Sequence, residues 1–254
     1  MTGFSDQDVS EDSLLGGRVQ LAQPRLGYRV AIDPVLLAAA APETRGRVLD
    51  LGCGVGAVLL CYGHRNTAAY LAGLEREPAL AALAARNLAE NGWAGRAEIH
   101  CGDLATPPAA LGPGSFDLVL TNPPYLEPGR ADPSPVALRR VADVESEGFG
   151  LADWIGRAIT FCRHKGWLGI VQRADRLDGI VAALHGRMGA VTVLPVQARA
   201  ADDAHRVLVF ARKGVRTPAR IAAPLILHEE DGSFRAESQA LLRDGTGLKR
   251  LWSA

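Results

Sequence analysis

An excess of charge of either sign is missing from this chain: its 254 residues carry 28 Lys and Arg against 28 Asp and Glu. A strongly basic domain would point to a nucleic-acid partner, and this balance gives no such global signal. The balance is local as well as global in only part of the chain. Asp6, Asp8, Glu11 and Asp12 stand in the first 12 residues without a Lys or Arg, which leaves a net charge of +4 on the rest. Aromatic residues are few, at 6%. The four cysteines, Cys53, Cys61, Cys101 and Cys162, form no C-x-x-C pair, so reduced structural thiols are expected. Cys61 and His64 have no second pair of ligands beside them, and no metal site is expected. No apolar run approaches the ~18 residues of a membrane span. The N-terminus lacks a basic region followed by an apolar stretch, so no secretory signal is expected and a cytoplasmic, membrane-free protein is.

Hydrophobic residues are plentiful, at 48%, which suits one α/β domain with additions. Residues 1–17 are polar and acidic, and a flexible N-terminus is expected there. Residues 18–46 read as an extension with a helix over VLLAAAA, Asp33 as its N-cap and Pro34 in its first turn. Residues 47–213 alternate strand and helix. Strands are expected at Val48–Leu51, Tyr70–Glu75, Ala97–Cys101, Phe116–Thr121, Leu168–Val171, Ala190–Leu194 and Arg206–Ala211. Helices are expected from Gly54 to about Gly63, over Pro78 to Asn91, where Leu80, Leu83, Ala84 and Leu88 share one face, over the segment marked by Leu151, Trp154, Ile155, Ala158 and Cys162, and over that marked by Leu177, Ile180, Val181 and Leu184. Repeated βα units imply a mostly parallel sheet covered on both faces. The last two strands are joined by too few residues for a crossover, so one strand should run antiparallel. The expectation is a seven-stranded α/β sheet. Residues 214–254 read as a C-terminal extension with a short strand and helix. Residues 122–147 are Pro-rich and polar, and a loop of that length in a compact domain is usually functional.

Three features fall at successive strand ends, where open α/β sheets bind ligands. VLDLGCGVG, residues 48–56, is a strand running into a glycine turn and a helix, so Asp50, Gly52, Cys53 and Gly54 can meet a ligand. Helix N-termini favour anions, here a pyrophosphate in a dinucleotide enzyme or the methionine carboxylate in a methyltransferase. Glu75 ends the second strand, where an acid can accept from a ribose diol. Asp103, after the third, can accept from an adenine amino group; the plainer reading is a loop Asp capping a turn.

The fourth strand leads into Asn122-Pro123-Pro124-Tyr125. Two prolines remove two N–H donors, leaving the Pro123 carbonyl as a pure acceptor beside the Asn122 side-chain oxygen. Two acceptors match the two hydrogens of an NH2 group. Holding both hydrogens favours pyramidalisation of a delocalised amine and aims its lone pair. Tyr125 offers a flat face for stacking on a base.

DLGCGVG, Glu75, Asp103 and NPPY together resemble the motifs of class I amino-methyltransferases. Residues 14–42, HKGWLGIVQRADRL and AHRVLVFARKG resemble more closely the bacterial enzymes that act on the adenine beside the anticodon of valine tRNA. The resemblance implies a Rossmann-like fold, S-adenosylmethionine as methyl donor with S-adenosylhomocysteine as product, no metal, and a tRNA partner. It implies that Asn122, Pro123, Pro124 and Tyr125 form the catalytic segment. It also implies that Asp50, Gly52, Cys53, Gly54, Glu75, Asp103 and Asn122 hold the cofactor, and that residues around Tyr28 to Asp33 close over the site. One departure is Asp143, which stands two residues before Glu145 where many members carry an Arg. Tyr28, Arg29, Asp33, Arg130, Arg139 and Arg140 are candidates for contacting the substrate. Arg199, Arg206, Arg212, Lys213, Arg216 and Arg220 cluster in sequence and suggest phosphate contacts. The competing readings are a protein-glutamine, DNA or rRNA amino-methyltransferase, a dinucleotide oxidoreductase, and a non-catalytic S-adenosylmethionine-binding module.

Overall fold

The computed structural model describes residues 4–26, 29–124 and 149–252. Seven segments become the strands β3 (Arg47–Leu51), β4 (Tyr70–Glu75), β5 (Ala97–Cys101), β6 (Phe116–Thr121), β7 (Cys162–Arg173), β8 (Met188–Gln197) and β9 (Arg206–Lys213). These are the seven strands the sequence predicts. They lie in the order β8, β9, β7, β6, β3, β4, β5. Neighbours from β7 to β5 run parallel, and β9 is antiparallel to both β7 and β8. The C-terminal segment adds two short strands, β10 (Arg220–Ile221) and β11 (Leu225–Ile226), both parallel to β8. The sheet thus has nine strands among the described residues rather than seven. The two extra strands have two residues each, too short to show an alternating pattern in sequence.

Alternate residues of each strand feed opposite cores. Val48, Leu118 and Leu120 face a cluster built with Leu36, Leu59, Leu83 and Leu88. Those residues belong to helices α1 (Asp33–Ala40), α2 (Ala57–Arg65) and α3 (Pro78–Glu90). Leu49, Leu51 and Val119 face a second cluster with Ile155, Ala158, Ile180 and Leu184, from helices α4 (Leu151–Phe161) and α5 (Leu177–Leu184). Each fully buried Leu or Ile contributes about 1.5–3 kcal/mol, so both layers hold the sheet. This is the Rossmann-like class I arrangement.

Two expectations for the N-terminal region are corrected. Residues 4–17 are not free of structure. Val9–Leu14 forms strand β1 and pairs antiparallel with β2 (Val19–Pro24). Its acids serve as counter-ions: Glu11 pairs with Arg86 at 2.8 Å and Asp12 with Arg29 at 3.0 Å. The hairpin docks on α3 through two asparagines one turn apart. Asn87, fully buried, accepts the Ala22 N–H at 2.8 Å and donates to the carbonyls of Ala22 and Val55 at 2.9 Å each. Asn91 makes the same paired contact with Gln20. Asp33 is not the N-cap of α1; Ile32 takes that position and Asp33 lies in the first turn.

Residues of the C-terminal extension fold back onto the same body. Helix α6 (Ala236–Arg243) is followed by Leu248, whose N–H bonds the Ala39 carbonyl, and by Trp252, whose indole N–H bonds that of Ala40. The Trp252 ring meets Trp167 and Phe210 edge-on at 5.0 and 5.3 Å. No helix among the described residues is long and apolar enough to cross a membrane.

Candidate active site

The register of the sheet sets the site. Leu51 of β3 pairs with Leu74 of β4 and with Thr121 of β6, and Thr121 pairs with Ile170 of β7. The glycine turn after β3, Glu75 and Asn122 therefore emerge at one end of the sheet. Gly52, Gly54 and Gly56 all have positive φ, at 69°, 54° and 87°, a region that costs a side-chain-bearing residue energy. Gly52 has a second reason to lack a side chain. A Cβ there would meet the Trp154 ring at 2.9 Å.

Four of the turn N–H groups are spent inside the protein. Those of Gly52 and Cys53 donate to the Leu74 carbonyl at 2.9 and 3.0 Å, and that of Gly56 to Cys53 at 2.8 Å. Gly54 donates to Glu75 Oε2 at 2.9 Å. The donors left by helix geometry are those of the first turn of α2, beginning at Ala57. Cys53 is buried and its sulfur packs over Gly73.

Three side chains define the chemistry of this end. Asp50 is buried, and neither carboxylate oxygen has a hydrogen-bond partner among the described residues. Burial, and then the charge of Glu75, push its carboxyl up to about 8. Glu75 is also buried, and burial raises its carboxyl while N–H bonds from Glu77 and Gly54 hold it down. Asn122 Oδ1 is buried and likewise unpartnered among the described residues. The opposite end of the sheet is built differently. There Asp117 accepts the Arg47 N–H at 2.9 Å and pairs with Arg163 at 2.5 Å. A buried polar atom without a partner costs roughly 1–3 kcal/mol. The end that carries Asp50 and Asn122 is the one that bears this cost, and an acid held there suits a cationic ligand group.

Asp103 lies on the surface and caps its own turn, accepting the Ala105 N–H at 2.7 Å through Oδ1. That is the plainer geometry foreseen for it, and it leaves the second oxygen for a ligand. Asp33 is buried against Arg206, 2.6 Å away. Arg29 is tied to Asp12, Ser10 and the Pro24 carbonyl. Tyr28, Tyr125, Arg130, Arg139 and Arg140 lie outside the described residues.

The basic cluster near the last strands does not form one surface. Arg206 pairs in register with Arg173 at the site end, whereas Arg212 pairs with Trp167, about 20 Å away at ~3.3 Å per residue. Arg212 bonds the Lys165 carbonyl, and Lys213 bonds those of Ile159 and Cys162. Arg220 bonds the Leu251 carbonyl. These cations close helix and loop ends.

Two residues to which the sequence reading gave no role at the site, Trp154 and Gln172, stand beside it. The Trp154 indole N–H donates to Thr121 Oγ1 at 2.8 Å, and that hydroxyl donates to the Leu51 carbonyl at 2.8 Å. Gln172 is buried and donates to the carbonyls of Pro123 and Pro124 at 3.3 and 3.1 Å. Among the described residues no group of three or more His, Cys, Asp or Glu is placed to hold a metal ion.

A family model for the methyltransferase small domain matches residues 32–142, which hold the glycine turn, Glu75, Asp103 and Asn122-Pro123-Pro124-Tyr125 but fewer than half of the residues. A tRNA1(Val) (adenine(37)-N6)-methyltransferase of Yersinia pseudotuberculosis is 38% identical over 138 residues, 52% of this chain and 54% of its own. The enzyme of the same name from Yersinia enterocolitica is 35% identical over the same share of this chain. The chain therefore spans about half the length of the curated relatives it matches. A solved structure from Agrobacterium tumefaciens, described as a predicted O-methyltransferase, superposes with a TM-score of 0.70 at 28% identity, covering 85% of this chain and 97% of that one. The TYW2 protein of Pyrococcus horikoshii, solved with MeSAdo, has a TM-score of 0.55 at 14% identity and shares the fold. In sequence across its glycine-turn half, and in fold across most of its length, this chain is similar to class I methyltransferases, the tRNA adenine-N6 enzymes among them.

Proposed function

We propose that the protein transfers a methyl group from S-adenosylmethionine to an exocyclic amino group, adenine N6 in the anticodon loop of a tRNA. The observation that carries this reading is the buried Asn122 Oδ1, unpartnered among the described residues, one residue beyond β6 and next in the chain to Pro123. An NH2 group supplies two hydrogens to Asn122 Oδ1 and the Pro123 carbonyl, whereas a hydroxyl supplies one. With both hydrogens held, the nitrogen lone pair is aimed at the methyl carbon. The C–N bond forms as the C–S bond breaks, and S-adenosylhomocysteine leaves. The excess amine proton passes to solvent. Oriented dipoles and positioning carry the catalysis.

The residues present fit the cofactor. Asp50 suits its cationic methionine end, Glu75 its ribose hydroxyls, and the free oxygen of Asp103 its adenine amino group. A loop adenine suits a small enzyme because reaching it costs only unstacking, a few kcal/mol. The activity for which the Yersinia relatives are named supports the same substrate.

The deciding experiment is a tritiated-methyl transfer assay against tRNA, rRNA, DNA and protein, followed by nucleoside mass spectrometry. Label in N6-methyladenosine from tRNA is the expected result. Label in a protein glutamine and none in RNA would transfer the reading to the protein enzymes that share the Asn-Pro-Pro-Tyr segment.

Glu75 offers a narrower check. Glu75→Gln should weaken S-adenosylhomocysteine binding by about 1.5–3 kcal/mol, the range for a hydrogen bond to a charged group. Calorimetry measures this, with thermal melting as a control because Glu75 also braces the glycine turn. Unchanged affinity would leave Glu75 a brace alone.

A further inference from the structure

A strand that ends in two prolines leaves carbonyls that need donors. β6 stops at Thr121, and β7 runs on past it to Arg173. In a continuing ladder the backbone of one strand would bond the next. Beside Pro123 and Pro124 the contact is instead made by a side chain. Gln172 donates from Nε2 to both proline carbonyls. Its own Oε1 accepts the Arg173 N–H at 2.9 Å, which fixes the amide so that the NH2 end faces the prolines. The Gln172 backbone is held in turn by pairing with Val207 of β9. The side chain is 1% exposed, so water does not compete for these bonds.

We infer that Gln172 is the positioning residue for the acceptor pair that holds the target amine. This rests on the methyl-transfer reading above. A carbonyl oxygen has two lone pairs. Gln172 takes one from Pro123 and leaves one, and by holding two successive carbonyls it sets the direction of that second lone pair relative to Asn122 Oδ1. The segment has no N–H of its own at Pro123 or Pro124 with which to fix itself. Misplacing a reacting group by about 1 Å costs on the order of 100-fold in rate. A clamp on these carbonyls therefore acts on turnover more than on cofactor affinity.

Three measurements on the full chain test this. Gln172→Met keeps the length and the apolar stem and removes both donors. It should lower kcat at least about tenfold, with the KM for S-adenosylmethionine within about twofold of wild type. Gln172→Glu carries one donor only when its carboxyl is protonated, and when ionised it repels both carbonyl oxygens. Its kcat relative to wild type should therefore fall as pH rises from 6 to 8.5. In the wild-type protein, the Gln172 side-chain amide protons should exchange slowly with solvent in nuclear magnetic resonance spectra.

Wild-type kcat in Gln172→Met would overturn the inference. So would equal losses of turnover and S-adenosylhomocysteine binding with a flat relative pH profile, which is the signature of a brace for the fold. A wild-type chain that methylates no acceptor would sink the underlying reading instead. The amide spectrum would then still decide the clamp: rapid exchange refutes it, and protection upholds it.

Discussion

Replacing Asn122 by alanine is expected to cut methyl transfer by at least about 100-fold, the cost typical of losing one oriented polar group that stabilises a transition state. Binding of S-adenosylhomocysteine should stay within about threefold of wild type. The argument is one of position. Asn122 follows Thr121, which pairs with Leu51 immediately before the glycine turn. The side chain thus stands at the mouth of the cofactor end without forming part of the turn itself. Its oxygen is buried and unpartnered among the described residues, an arrangement that costs stability in the resting protein and is repaid when an amine arrives. Deleting it should not unfold the chain, because no bond among the described residues depends on that oxygen; a melting temperature equal to or above that of wild type is expected. A kinetic assay with calorimetry separates the two effects. Near-normal turnover in Asn122→Ala would remove Asn122 from the reaction and leave the amine-holding role without its central residue.

Asp50 should give the largest effect on stability. Its carboxyl is buried without a partner among the described residues, and burial followed by the Glu75 charge raises it to about 8. An aspartate in the unfolded chain titrates near 3.9. Between about pH 4 and 8 the folded protein therefore retains a proton that the unfolded chain has released. Stability falls as pH rises through that window, and the full cost is reached above pH 8. Asp50→Asn, which cannot ionise, should stabilise the cofactor-free protein by an amount that grows from pH 4 to 8, on the order of a few kcal/mol at most. The same change should weaken cofactor binding, since the acid that suits the cationic methionine end is gone. Wild-type binding at pH 7 should also release protons, so its calorimetric enthalpy should depend on the ionisation heat of the buffer. Melting curves against pH for both proteins, with binding isotherms, decide the matter. Identical melting at pH 8 together with identical affinity would reduce Asp50 to an ordinary buried polar group.

Both residues lie in motifs that are visible in the chain, and the reason is local. DLGCGVG and NPPY combine a strand pattern with residues whose backbone behaviour is their own property. Glycine tolerates positive φ, and proline lacks an N–H. The strands Tyr70–Glu75, Ala97–Cys101 and Phe116–Thr121 have the bounds the sequence predicts. β7 is longer than its predicted Leu168–Val171. Its first residues, CRHKG, lack an apolar pattern; Cys162 pairs with Phe116, and the regular pairing with β6 resumes at Trp167 after an irregularity.

β1 and the paired arginines were hidden for a related reason. VSEDSL shows no clean alternation, and its strand is made by β2, Arg29 and Arg86. The basic cluster looked continuous because Arg206 and Arg212 are six residues apart in sequence; a strand carries such residues to opposite ends of the sheet.

By itself the sequence determined the βα order, the antiparallel last pair and the glycine turn. Each of these follows from the chemistry of neighbouring residues. Tertiary structure alone decided which acceptors stay unpaired among the described residues, which cations are already engaged, and that Gln172 bonds the Pro123 and Pro124 carbonyls while Trp154 bonds Thr121. Those facts depend on the register that sets Thr121 beside Ile170 and Leu51. Register is set by which faces of β3, β6 and β7 find a core, and that is known only when the strands, far apart in sequence, lie side by side.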